Sequence, residues 1–329
     1  MRLTFAIILS LLCALKGHAQ ELFIQAEPAS TIPKKTLAIR LYSENYREVH
    51  KEYRDFSALR IMYGVTPNLS IYATASGSNH HASTLPPDFP DHNTPQIGVK
   101  LPFLFGGVNL YAKYRVYSHD GENSHFRIAA FSEYGFLNVA HDEAEPNVME
   151  DTKGYEGGLI FTYLKKHFAV SFTGGGILPA TYYGVIPDPI AGLPSVPAAI
   201  KYSNALSSDL SFGYLLLPQE YKNYNQVSLS VYLEFTGMAY DTAKVYLRNF
   251  DAANGSFSGS WYRVYRPNLV VLGPGQYVEA DPGIQLILKS TLRLDFSVGF
   301  PVYGRSYIHF YPLYTFGLQR YFYFKKKKG

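Results

Sequence analysis

The sequence predicts an all-β chain folded as a transmembrane antiparallel β-barrel of about 12 strands, with 14 as the alternative, short periplasmic turns and long extracellular loops. Three observations predict it. Apolar and polar residues alternate strictly, the alternating segments run to about 9 to 11 residues, and the connections between them are short and long by turns.

The alternation is clearest in three segments. In 108–117, Val108, Leu110, Ala112, Tyr114 and Val116 share one face, while Asn109, Tyr111, Lys113, Arg115 and Tyr117 share the other. In 227–236, Val227, Leu229, Val231, Leu233 and Phe235 oppose Ser228, Ser230, Tyr232, Glu234 and Thr236. In 292–299, Leu292, Leu294, Phe296 and Val298 oppose Arg293, Asp295, Ser297 and Gly299. Successive side chains of a strand point to opposite faces, so each segment is apolar on one side only. A soluble sandwich also has two-faced strands, but of about 5 or 6 residues; these have the length that crosses a bilayer at a tilt of about 45°.

Assigned a direction from the periplasm, the elements follow in order. A strand at 36–43 rises to a polar loop at 44–54, and 55–65 descends to the turn Thr66-Pro67-Asn68. The third strand, 69–76, rises to a long connection at 77–106, and 107–117 descends to the turn 119–123. Next, 125–136 rises to an acidic loop at 138–151, 153–164 turns at Lys165-Lys166-His167 into 168–175, and 177–206 is outside. The strand 207–216 turns through 218–225 into 226–237, followed by an outer loop to about 276. Finally, 277–288 turns at Lys289-Ser290-Thr291 into 292–301, and the last strand ends near Phe324. An even count returns both ends to the periplasm, and closure is required because lipid offers no partner for a sheet edge. The segment Pro95–Phe103 also alternates and reads as part of the outer loop or of the fourth strand; with Leu269–Leu272 as a further weak strand it supplies the 14-strand alternative.

Composition agrees with this setting. Charged residues are 17% and aromatics 16% of 329 residues, with 29 Tyr and 22 Phe, which excludes a disordered chain. Aromatics at strand ends, Tyr63, Tyr117, Tyr163, Tyr214, Phe300 and Phe324, are expected to form interfacial girdles. The only cysteine, Cys13, excludes disulfide scaffolds and thiol chemistry, and a net charge of +4 gives no argument for nucleic acid.

Residues 1–19 read as a cleaved signal peptide: Met1-Arg2, an apolar run from Leu3 to Leu15, and Gly17-His18-Ala19 before the cut. Residues 20–35 are then a periplasmic N-terminal lead, 36–324 the barrel, and 325–329 a basic periplasmic tail. The expected location is the outer membrane of a Gram-negative cell, with outer-membrane lipids and the barrel assembly machinery as partners. The last strand carries alternating Tyr314, Phe316, Leu318, Phe322 and Phe324. Arg320 falls on its lipid-facing register, which places it low near the interface or calls for a bulge near Gln319.

The stretch Leu59–Leu69, the segment 108–117 with Lys113-Tyr114-Arg115, and Asp281-Pro282-Gly283-Ile284-Gln285-Leu286 leading to Val298–Tyr303 together resemble the outer-membrane barrels associated with the phenol meta-degradation pathway. The resemblance implies transport of small hydrophobic or aromatic molecules and supplies no catalytic residue.

The inward face of the alternation places Arg60, Lys113, Arg115, Arg127, Glu133, Glu234, Arg293 and Asp295 in the lumen, with Arg40, Glu156 and Asp209. They either pair across a packed interior or line a polar path whose charges select solutes. The outer stretch 177–200 has five prolines and many aliphatics, and either packs over the rim or folds into the mouth as a plug. His80, His81 and His92, near Asp88 and Asp91, are metal-ligand types at loose spacing, and a solvated loop is the alternative. No cofactor pattern is present. His119, His125 and His141 could each meet a carboxylate, yet no nucleophile–base spacing is legible, so an enzyme is not expected. The functional expectation is a channel or transporter for a small-molecule solute; the alternative is a non-conducting structural or adhesion barrel.

Overall fold

The computed structural model describes residues 23–91, 98–137, 139–187, 194–220, 226–265 and 270–324. The expected signal peptide, the basic tail 325–329 and His92 lie outside these residues.

The chain runs through β1 (Thr36–Arg47), β2 (Tyr53–Gly64), β3 (Leu69–Ser78), β4 (Leu104–Asp120), β5 (Ser124–Leu137), β6 (Gly154–Lys165) and β7 (Phe168–Pro179). There follow β8 (Tyr182–Ile186), β9 (Val196–Lys201), β10 (Ala205–Leu217), β11 (Ser228–Tyr240), β12 (Lys244–Arg248) and β13 (Trp261–Val264). The last strands are β14 (Gly275–Leu288), β15 (Leu292–Tyr303) and β16 (Leu313–Tyr323). Twelve of these close into one antiparallel barrel, in which β16 pairs with β1, while β8, β9, β12 and β13 form a separate sheet. Every expected strand is present. No helix among the described residues is long and apolar enough to cross a membrane.

The alternation decides which face looks where. Val108, Leu110, Tyr114 and Val116 are exposed on the barrel wall, whereas Asn109, Tyr111 and Lys113 of the same strand are buried inside. The outer surface is therefore an apolar band suited to lipid, and the polar face is shielded from it. Tyr117, Tyr163, Tyr214, Phe300 and Phe324 are exposed near strand ends, as the girdle requires. Tight turns mark one end: at β14–β15 the Thr291 amide donates to the Leu288 carbonyl over 3.1 Å, and both central residues, Lys289 and Ser290, have φ near +50° (52° and 51°). That is the primed-turn geometry matching strand twist.

The 14-strand alternative is excluded among the described residues. Val270–Leu272 is a single 3-10 turn, and 98–103 carries no strand. β16 runs in unbroken register with both neighbours, so no bulge forms near Gln319. Arg320 instead sits beside the β14–β15 turn, where it donates to Thr291 Oγ1 over 3.0 Å.

The proline-rich outer stretch folds over the rim. β8 and β9 make a hairpin whose second strand pairs with β12, and β12 pairs with β13. Ala198, Ile200 and Val245 turn inward, packing with Leu85, Val148 and Leu272 as an apolar cap over the long-loop end.

Candidate functional site

The barrel interior is filled from the short-turn end by the chain that precedes β1. Phe23, Ile24, Ala29 and Ile32 are at most 3% exposed, so the stretch expected as a periplasmic lead lies within the barrel from Phe23 to about Ile32. Two glycines make room for it. A Cβ on Gly64 would stand 2.1 Å from the Pro33 carbonyl oxygen, and one on Gly283 2.6 Å from the Ile24 side chain.

Strand-borne polar groups hold this segment by its backbone. Glu234 accepts the amides of Ile24 (2.8 Å), Gln25 (3.0 Å) and Ala26 (2.8 Å), as well as the Ser211 hydroxyl (3.1 Å). Arg293 donates to the Phe23 carbonyl, and Arg40 donates to that of Ile24 over 2.7 Å. Ser70 and Thr162 accept the amides of Ile32 and Ala29. A buried extended segment with no sheet partner must satisfy its amides somehow, and here inward-facing side chains do so.

Its one acid, Glu27, meets two lumen cations: Lys113 at 2.8 Å and Arg60 at 3.1 Å. Lys113 also donates to the Pro28 carbonyl over 2.8 Å. Both cations face Tyr72, which stacks on Tyr111 with centroids 4.9 Å apart, and Tyr111 stacks in turn on Phe131 at 5.6 Å.

The expected lumen residues thus divide. Arg60, Lys113, Glu234 and Arg293 converge on the inserted segment. Asp295 pairs with Arg293 at 2.8 Å and Arg40 at 3.5 Å, and Glu133 is buried in register with Glu156. Arg115 and Arg127 are elsewhere, at the short-turn end. Arg115 donates to Asn68 and the Pro67 carbonyl; Arg127 binds Asp120 at 3.0 Å and reaches Ser30 of the inserted segment.

Above Ile24 and Gln25 a cavity of about 240 Å³ remains. Its wall carries Glu44, Glu150, Glu156, Asp209, Glu279 and Asp281 against Arg40, Arg60 and His309, and Asn147–Glu150 from the β5–β6 connection roof it. His309 lies 3.5 Å from Glu150 and 3.6 Å from Glu279. Burial opposes its charge, but these carboxylates outweigh it and hold the imidazole well above its usual pKa.

A second cluster lies in the roof itself. His81 from the β3–β4 connection meets His141, Glu143 and Asp151 from the β5–β6 connection. Burial keeps His141 below its usual pKa despite Asp151. For His81, burial is outweighed by Asp151 and Asp142, which raise it. Glu143 is pushed well up, first by burial and then by Asp142 and Asp151. His80 turns away from this group to Glu150, 2.5 Å from it, and stands against the Tyr46 ring. His125, at the opposite end, pairs with Asp120 at 2.8 Å.

Two signals were invisible to alternation: Glu27, which precedes the first strand, and His309, in the short connection before β16. Neither lies in a patterned segment.

No protein-family model matches the chain, and no curated relative does. Among solved structures, the COG4313 outer membrane channel from Pseudomonas putida F1 is similar at 11% identity, over 91% of this chain and 100% of that one, with a TM-score of 0.52. The beta domain of the Bordetella autotransporter BrkA aligns at 14% identity over 88% and 99% of the two chains, with a TM-score of 0.38. The Pseudomonas putida toluene transporter TodX aligns at 9% identity over 94% and 97%, with a TM-score of 0.33. At 11% identity, what the first of these establishes for the present chain is its fold, a closed antiparallel β-barrel.

Proposed function

We propose that this protein is an outer-membrane channel for small solutes, held shut by residues 23–32. The observation that carries the reading is the chamber: a closed barrel holds a cavity of about 240 Å³, floored by a segment seated in the lumen through hydrogen bonds and ion pairs. A barrel of about twelve strands lies between packed eight-stranded forms and open sixteen-stranded porins, so its conductance depends on what fills it.

The lining supports a solute class. Six carboxylates outnumber Arg40, Arg60 and His309, and Tyr42, Phe56 and Tyr277 share the wall. Carboxyl groups beside aromatic rings offer hydrogen-bond partners and an apolar surface together. The reading is therefore of a small polar molecule with an aromatic part, in line with the aromatic solutes implied by the sequence resemblance.

Planar-bilayer recordings of two forms test this. The intact protein should be mostly silent. A form lacking 23–32 should conduct steadily. A silent truncated barrel, shown to be closed by its heat-dependent gel migration, would support the non-conducting structural alternative instead.

A further inference from the structure

The roof cluster brings metal-ligand side chains together at close range. His141 Nδ1 lies 3.3 Å from Asp151 Oδ2 and 3.5 Å from Glu143 Oε2, and His81 Nε2 lies 3.5 Å from the same Asp151 oxygen. None of these four atoms makes a hydrogen bond, and all are buried. The residues are at most 7% exposed, with His141 at 1% and Asp151 at 2%. Four inward-aimed polar atoms left without hydrogen bonds in one place call for an explanation.

The surroundings fix what those atoms can do. His141 Nε2 lies 2.6 Å from the Glu145 carbonyl oxygen, which only accepts, so that nitrogen carries the proton and Nδ1 is left to present a lone pair to two carboxylates. Lone pairs facing one another at 3.3 to 3.5 Å repel unless a proton or a metal ion stands between them. Asp151 is oriented too: its other oxygen accepts from Thr152 Oγ1 (2.6 Å) and the Asn147 amide (3.3 Å). Metal-binding imidazoles and carboxylates are typically aimed by such outer contacts.

We propose that His81, His141, Glu143 and Asp151 bind one divalent transition-metal ion, with zinc the best fit. In a tetrahedral zinc site with bonds of about 2.0–2.1 Å, neighbouring ligand atoms stand about 3.3–3.4 Å apart. The 3.3 Å between His141 and Asp151 matches, the 3.5 Å from His141 to Glu143 and from His81 to Asp151 comes close, and ligand atoms of His81, His141 and Glu143 all lie within 4.8 Å of one another. Two carboxylates neutralise the ion in a buried site, and a two-nitrogen, two-oxygen donor set is a borderline-soft one. A void of about 30 Å³ opens beside His81 and Glu143, large enough for one water-sized particle. The ion would staple the β3–β4 connection to the β5–β6 connection, the segment that roofs the chamber. This holds whether or not the chamber conducts.

The test is zinc titration of the chelator-stripped, folded full-length barrel by calorimetry. One saturable zinc per chain is expected. His141→Ala and Asp151→Asn should each weaken binding by about 100-fold or more, while His125→Ala at the far end should not change it. X-ray absorption of the loaded protein should show about four nitrogen or oxygen ligands near 2.0 Å. If His141→Ala prevents barrel closure, Asp151→Asn and Glu143→Gln, both near-isosteric, carry the same measurement. No saturable uptake, or uptake that survives these substitutions and disappears with His309→Gln, would overturn the assignment.

Discussion

The two ends of the lumen are built on opposite principles. Toward the short turns, charges on the wall find partners on the inserted segment: Glu27 lies between Lys113 and Arg60, and Glu234 collects three consecutive amides. Toward the long loops, carboxylates and imidazoles crowd together with hydrogen-bonding atoms unmet at His81, His141, Glu143 and Asp151. A buried polar group without a partner is costly, and a pair broken in a low-dielectric interior costs more than the pair was worth. Unmet atoms are not confined to the roof, since Arg40 Nε and Asp295 Oδ2 beside the inserted segment also make no hydrogen bond; the difference is that the segment's own backbone is met by the wall, whereas four unmet atoms converge in the roof. Under the proposed function the inserted segment is the stopper, and under the proposed metal site the roof is the part that responds to an ion.

The comparison breaks most sharply at Glu27. Glu27→Ala leaves Lys113 and Arg60 buried without their counter-charge, a loss of about 3–5 kcal/mol for a buried pair. Hydrogen exchange at 23–32 should accelerate strongly and bilayer recordings should show brief openings, while any zinc uptake by the roof stays unchanged. A variant whose segment remains fully protected would show that apolar burial of Phe23 and Ile24, not charge, seats it. Glu234→Gln should act in the same direction but less. It keeps a carbonyl oxygen as acceptor for part of the amide set and loses charge assistance, so about 1.5–3 kcal/mol is expected. The same exchange measurement should rank it below Glu27→Ala.

How far the sequence foretold this depends on which physical signal each part leaves. Strand positions and the inward charges were legible because a sheet repeats every two residues, so Lys113 and Glu234 could be placed by counting. The inserted segment left no such signal: its residues follow no period, and an extended chain satisfied by side chains looks like any polar leader. The tyrosines divide in the same way. Strand-end rings form the exposed girdle, while Tyr111 and Tyr232, which alternation puts on the polar faces with Lys113 and Glu234, lie buried inside. A phenol is apolar enough to stack and polar enough to sit on the polar face. The cap was legible as apolar and proline-rich, though not as a sheet, since β8 and β12 are only five residues each. The roof cluster joins loops some sixty residues apart in sequence, His81 from one and His141 from the next, which no local spacing encodes.

Arg127 gives the smallest and most discriminating effect. It touches the inserted segment only through Ser30, at 2.9 Å, and its ion pair with Asp120 is exposed, the two side chains retaining 26% and 45% of their accessible surface. Partly solvated pairs of this kind contribute about 0–1 kcal/mol, because water screens the attraction and both side chains give up rotamer freedom. Arg127→Ala should therefore leave exchange at Phe23–Ala26 unchanged and loosen only the stretch near Ser30. That gradient separates two ways the segment can be held. If protection falls along its whole length, the segment is seated as one cooperative unit and the end at the short turns governs its release. If protection falls only at Ser30, the deep contacts at Glu234 and Arg293 are the latch, and release of the segment requires breaking them from within the barrel.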